Sequence, residues 1–193
     1  MRRDGVARSF VVTESRHWWR EPGSGAYSRI EREWRWLLPQ VPSGVGDPVT
    51  VTDRYLVGTT LRLRHMQGDA GDVFKLTQKV RPRADDPSAT AITNVYLRSD
   101  EHALLSSLPA AELVKMRHRW SVDGLDCAVD ELLGRWRGVV LAELEHEEGV
   151  AAPTLPSAVE VTFDDRFSGG ALAAATDEAV ASLLDAVAAL VQR

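Results

Sequence analysis

The chain has 193 residues, 44% hydrophobic and 26% charged, with a formal net charge of −5. That is the composition of one ordinary globular domain with a real core, and its acidic balance excludes a general nucleic-acid binder, which needs a basic excess. No apolar run approaches the ~20 residues that cross a bilayer, and one cysteine, Cys127, excludes an internal disulfide and fits a reducing cytoplasm.

Residues 1–28 read as an N-terminal extension, flexible except where Trp18 and Trp19 are expected to dock on the body. They contain no apolar h-region, so no secretory signal is expected, and "EPGSG" (21–25) is a breaker cluster. Residues 29–193 are expected to form one domain. The next stretch, "IEREWRWLL" (30–38), alternates strictly, which predicts a strand. Glu31, Glu33 and Arg35 take one face, while Trp34 and Trp36 take the other. Strand-like text continues to about residue 98, broken at 39–48, 65–72 and 81–90. Ser99 is a candidate N-cap for a short helix ending near Leu108, before Pro109. Strands resume over 112–121, 125–132 and 138–146. The final stretch, 171–192, carries Leu172, Val180, Leu183, Leu184, Val187 and Leu190 at the spacing of one helix.

Most catalytic signatures are missing: no phosphate-cradling glycine loop, no nucleophile elbow and no zinc-protease helix motif. The five histidines are scattered, and Cys127 in "DCAVD" reads as a small core residue. What remains is charge, sorted by sign along the strands. Arg62 and Arg64 share a face, as do Lys75, Thr77 and Lys79, and then Lys115, Arg117 and Arg119. Glu143 and Glu145 repeat the acidic pattern of Glu31 and Glu33.

The bland explanation is a row of solvated faces, the usual meaning of such alternation. A solvated face normally mixes signs, since like charges side by side are costly. The runs together favour a shared site. Carboxylates from two strands suit a hard cation such as Mg²⁺ or Mn²⁺, and cations from three strands grip a polyanion. A metal-complexed polyphosphate satisfies both. The sheet must then curl into a barrel with a polar lumen.

These motifs resemble the CYTH domain, the family of triphosphate tunnel metalloenzymes. "EREWRWLL" is similar to its opening E-x-E-x-K signature, with Glu31 and Glu33 on the glutamates and Arg35 where the family has lysine. In order follow "TLRLR" with Arg62 and Arg64, "FKLTQK" with Lys79, and "LVKMRHR" with Lys115 and Arg117. "AVDELLGRWRGVVLAELE" supplies Asp130, Glu143 and Glu145, and "VEVTFDDRFSGG" supplies Arg166 and Ser168. The resemblance covers about residues 29–175, with departures at Arg35, at Val57 and Gly58, and in "ITNVYL" (92–97).

The resemblance implies a mostly β fold, an eight-stranded antiparallel closed barrel with outer helices, one of them C-terminal. It implies a cytoplasmic metal-dependent triphosphatase acting on inorganic triphosphate or a small organic triphosphate. Mg²⁺ or Mn²⁺ would be held by Glu31, Glu33, Asp130, Glu143 and Glu145. Arg62, Arg64, Lys75, Lys79, Lys115, Arg117 and Arg166 would hold phosphates, with catalytic roles for Glu31, Glu33, Arg35 and Lys79. Trp34 and Trp36 are expected to pack against outer elements, the C-terminal helix among them. The expected partner is the small-molecule substrate alone, with no nucleic acid or membrane, for a monomer or homodimer. A catalytically weak triphosphate binder and a class IV-type adenylate cyclase are the alternatives.

Overall fold

Alternating charge and hydrocarbon along each strand leaves two incompatible faces, and a sheet closed on itself puts them on its inside and outside. In a computed structural model, which describes residues 27–81, 86 and 88–191, eight strands do this. They are β1 (Arg29–Leu38), β2 (Val49–Leu56), β3 (Leu61–Gly68), β4 (Gly71–Val80), β5 (Ala89–Leu97), β6 (Ala110–Val122), β7 (Leu125–Leu132) and β8 (Val140–Glu145). All pairings are antiparallel, in the order β5-β4-β3-β2-β6-β7-β8-β1. The first part of β1, Arg29–Arg32, pairs back with β5 and closes the ring. Closure satisfies the backbone groups that an open edge would expose. A two-residue strand, β9 (Val159–Glu160), adds to β1 beyond the point where β5 leaves it.

The hairpin between β6 and β7 turns on Asp123 and Gly124, at φ of 50° and 79°. Two positive φ values in a two-residue loop match the twist of the flanking strands, and glycine takes one of them without strain. Among the described residues three α-helices accompany the barrel: α1 (Ser99–Leu105), α2 (Gly169–Ala174) and α3 (Asp177–Val191). Among the described residues, no helix is long and apolar enough to cross a membrane.

The inner face changes character along its length. On β1 the residues Glu31, Glu33 and Arg35 are followed on the same face by Leu37, which is fully buried. Leu37 meets Leu113, Leu132 and Leu141 from β6, β7 and β8 in one apolar cluster. Trp136, Phe167, Leu172, Val180, Leu183 and Val187 complete it. The helices α2 and α3 therefore seal one end of the barrel with hydrocarbon. The indole Nε1 of Trp136 donates to the Leu172 carbonyl at 2.9 Å, so the plug leaves that polar group satisfied.

Several expectations need correction. Trp36 does not meet the C-terminal helix; it packs with Leu38, Val129, Ala142 and Leu155 on the outer face, under the 152–158 segment. Trp34 instead stacks on His146, ring centroids 4.4 Å apart. The C-terminal helix reaches Leu37, because it plugs the inside rather than covering the outside. The single helix expected over 171–192 is two. It breaks at Ala175, which is extended at ψ 139°, and Thr176 restarts it by accepting from the Ala179 N–H at 3.3 Å. α1 stops at Leu105, and its N-cap is Arg98, not Ser99: the Glu101 carboxylate turns back to accept from the Arg98 N–H at 2.8 Å. The break expected at 65–72 is only the tight turn between β3 and β4. Trp18 and Trp19 lie outside the described residues, as does the expected extension except for Tyr27 and Ser28.

Candidate functional site

Residues directly opposite in adjacent strands share a face, so register alone assembles the polar part of the lumen. Arg64 faces Asp53 on β2 and Lys75 on β4, and Arg62 faces Tyr55 and Thr77. Across the barrel Glu33 faces Glu145, and Arg35 faces Glu143. Arg117 on β6 faces Asp130 on β7. All of these but Asp53 and Asp130 line a tunnel of ≈170 Å³.

Of the residues singled out in the sequence, Glu31, Glu33, Arg35, Arg62, Arg64, Lys75, Lys79, Lys115, Arg117, Glu143 and Glu145 all line this tunnel. Asp130 lies just behind its wall, 2% exposed. Arg166 is not brought there. Its guanidinium pairs with Asp164 at 2.6 Å, lies over the Phe167 ring and is largely exposed. Ser168 caps α2, accepting from the Ala171 N–H.

The charges divide the wall into two sides. On the β1–β8 side every carboxylate has a cation beside it. Glu31 meets Lys79 at 3.2 Å, and Glu143 meets Arg117 at 2.7 Å and Arg35 at 3.2 Å. Arg35 also reaches Glu33 at 3.5 Å, so it is stapled between two acids. Burial pushes the Glu143 carboxyl up, but Lys115, Arg35 and Arg117 outweigh it and hold it well below the usual range. Glu33 goes the other way: burial first, and then the charge of Glu143, raise it.

The β3–β4 side is short of acid. Arg64 is clamped by both oxygens of the fully buried Asp53, at 2.6 and 2.7 Å. Arg62 donates to the Thr77 hydroxyl at 3.3 Å, and its buried Nε lies 3.5 Å from Asp53 Oδ1, an ion pair without hydrogen-bond geometry. Lys75 sits beside these guanidinium groups, and burial together with Arg64 and Arg62 lowers it to about 8. This side presents positive charge to the lumen.

The same fold occurs in solved proteins. The crystal structure of the inorganic triphosphatase NE1496 superimposes with a TM-score of 0.52 at 21% identity, over 76% of this chain and 95% of that one. A crystal structure described as the hypothetical protein NE1496 gives 0.53 and 22%, over 75% and 98%. The chain has the fold of these structures, a closed antiparallel barrel around a tunnel. The motif resemblance and the architecture agree, although no protein-family model and no curated protein matches the sequence.

In the tunnel fold a divalent cation would need hard oxygen donors facing a common space. Glu33, Glu143 and Glu145 supply them from adjacent strands, and all three border one gap in the wall. Burial first and then the charge of Glu143 raise the Glu33 carboxyl, and a cation held between the two would offset both. The donor chemistry therefore fits, although no group of three such side chains stands preassembled as a cage among the described residues. Asp130 offers less. Its oxygens are engaged by Lys115 and by both Nε and Nη2 of Arg117, each Arg117 bond at 2.6 Å.

Sequence reasoning missed Asp53, Tyr55 and Asn94. Asp53 fixes Arg64, and Asn94 accepts from the Thr77 hydroxyl at 2.8 Å. Tyr55 stands at the inner end of the tunnel, where burial and then Asp53 push its hydroxyl up to about 12, so it remains protonated. The signal was present in "VTVTDRYL": Val51, Asp53 and Tyr55 share one face. A lone carboxylate between two large apolar groups, on a strand next to Arg62 and Arg64, is a counter-ion position.

Proposed function

We propose that this protein is a hydrolase of phosphoric anhydrides that binds a triphosphate in its tunnel and works with Mg²⁺ or Mn²⁺. One observation carries the reading: among the described residues Arg62 and Lys75 line the tunnel with no carboxylate hydrogen-bonded to either, the Arg62 Nε having only a 3.5 Å ion pair with Asp53, a carboxylate already clamped by Arg64 at 2.6 and 2.7 Å. A buried donor left unpaired costs free energy unless a ligand satisfies it. A triphosphate supplies anionic oxygens at several places along one line, matching cations on β3, β4 and β6.

Phosphoryl transfer needs little covalent help from a protein, so the rate comes from positioning and from charge stabilisation. Asp53 and Asp130 hold Arg64 and Arg117 in fixed orientations, so these guanidinium groups need not reorganise as charge moves. We give Asp130 this positioning role in place of metal ligation. Arg62, Arg64 and Lys75 take the phosphate oxygens, with Lys115 and Arg117 continuing the row. Glu33, Glu143 and Glu145 would hold the divalent cation, with Glu31 keeping Lys79 at the wall. A bound divalent cation supplies charge neutralisation at phosphoryl oxygens and a lowered pKa for attacking water. Arg35 replaces the family lysine and cannot give up its proton, so its part is electrostatic.

The test is phosphate release from inorganic triphosphate, thiamine triphosphate and ATP with Mg²⁺ or Mn²⁺, with cyclic AMP measured in parallel. Phosphate release from at least one substrate, lost by orders of magnitude in Glu143→Gln, is expected. Failure to hydrolyse any of them would remove the enzymatic reading, and cyclic AMP would replace it with a cyclase.

A further inference from the structure

Arg35 stands between two of the carboxylates assigned to the divalent cation. Its Nε lies 3.2 Å from Glu143 Oε1, and its Nη2 lies 3.5 Å from Glu33 Oε2. All three side chains are largely buried, so little water weakens the contact. The other Glu143 oxygen accepts from Arg117 at 2.7 Å. Each Glu143 oxygen therefore already has a guanidinium group beside it.

The two arginines are not equally fixed. Arg117 is anchored by two further bonds to Asp130, each 2.6 Å. Among the described residues, Arg35 has no carboxylate within ion-pair distance besides Glu33 and Glu143. Its backbone is tied to the 159–162 segment, donating to Thr162 Oγ1 at 2.9 Å and accepting from the Val161 N–H at 2.8 Å. Only its side chain is placed to give way. A divalent cation takes carboxylate oxygens at about 2.1 Å. A guanidinium on the same oxygens would then lie within about 5 Å of it, and like charges that close repel strongly in a buried site. Arg35 lines the tunnel but not the gap shared by Glu33, Glu143 and Glu145, so it meets their oxygens from the tunnel side. It also borders a neighbouring space of ≈220 Å³, lined by Thr90 and Ser168, whose hydroxyl oxygens are acceptors. A displaced guanidinium has room and partners there.

We propose that Arg35 is a built-in competitor of the divalent cation. Its guanidinium holds the oxygens of Glu33 and Glu143 that the cation needs, and it must leave them for the cation to bind. Arg35 thereby sets the cation affinity of the tunnel. This rests on the reading of Glu33, Glu143 and Glu145 as the cation's ligands.

The experiment is titration of the whole chain with Mn²⁺ and no triphosphate, with free Mn²⁺ read by electron paramagnetic resonance. Arg35→Met keeps the bulk, removes the competing charge and should bind Mn²⁺ at least about tenfold more tightly, since a site that must first shed its own counter-ion binds in proportion to the fraction already open. Lys75→Met removes a tunnel charge with no carboxylate hydrogen-bonded to it and should gain less than about threefold. Glu33→Gln added to Arg35→Met should cancel the gain. A second readout uses the unaltered protein. The Arg35 Nε–H signal in a ¹H–¹⁵N spectrum, assigned by its loss in Arg35→Lys, should lose protection from water exchange as Mg²⁺ is added, while that of Arg117 persists. Equal or weaker Mn²⁺ binding in Arg35→Met, an equal gain in Lys75→Met, a gain that survives Glu33→Gln, or an Arg35 signal unmoved at saturating Mg²⁺ would each overturn the competition. If none of these proteins binds Mn²⁺ or Mg²⁺, the cation reading itself falls and takes this one with it.

Discussion

At the scale of single residues, the most informative side chain is Lys75. Its neighbours are cations, and burial with Arg64 and Arg62 lowers it to about 8. A bound polyanion favours the charged amine, so binding raises this pKa and takes up a proton wherever the free amine has lost one. Affinity for triphosphate should therefore be level below about pH 8 and weaken as pH rises through it. Lys75→Arg keeps its charge throughout and should lose that inflection, with the ligand's own titration common to both proteins. The same inflection in both would show that Lys75 does not face the bound phosphates. Much of this was legible from alternation, which placed Lys75 on a face with Thr77 and Lys79. Which cations would lack an acid was not legible, since Asp53 and Asp130 meet theirs across strands rather than along them.

At the scale of elements, β1 carries two roles on one face. Its first inward residues belong to the tunnel, and Leu37 belongs to the plug made with α2 and α3. Leu37 is fully buried and contributes hydrocarbon to a packed cluster. Leu37→Ala should cost about 2–5 kcal/mol, the range for a buried leucine whose cavity cannot collapse. Urea unfolding measures it, and a loss below about 1 kcal/mol would mean that the plug repacks freely. The helical period of the last segment was readable, but its break at Ala175 was not, because alanine is a good helix former. Thr176, Asp177 and Glu178 are the restart signal: a capping hydroxyl followed by acid in the first turn.

At the scale of the whole molecule, the barrel brings cations from β3 and β4 together with Asp53 as their shared buried acid, and a bound polyanion would relieve the remaining repulsion. Triphosphate with Ca²⁺ at about 100 times Kd adds ~2.7 kcal/mol by mass action. For a chain of this length each kcal/mol moves Tm by roughly 2–4 °C, so a rise on the order of 5–10 °C is expected. Orthophosphate should do far less, since it cannot reach several strands at once. Arg62→Met with Lys75→Met should remove most of the shift and raise the Tm of the unliganded protein. Those two are the better choice over Lys79, whose removal would strand Glu31 without its partner. No shift across millimolar triphosphate would show that the inward charges serve another ligand.

The sequence by itself determined the strands, their two faces and the sign of the charge on each, because side-chain alternation is a local property of extended backbone. Through the order of its motifs it also pointed to the closed barrel. Tertiary structure decided the rest. Arg166 turned to Asp164, a neighbour two residues away, and left the lumen. Trp36 went under the 152–158 segment and Leu37 under the helices, a choice set by which covering segment reached each end of the barrel. Asp53 and Tyr55 became parts of the site when β2 paired with β3 opposite Arg64 and Arg62 and the fold set Gly169 against the tyrosine hydroxyl. The packing of Trp36 and Leu37 and the approach of Gly169 to Tyr55 join parts of the chain far apart in order, and no local pattern encodes them.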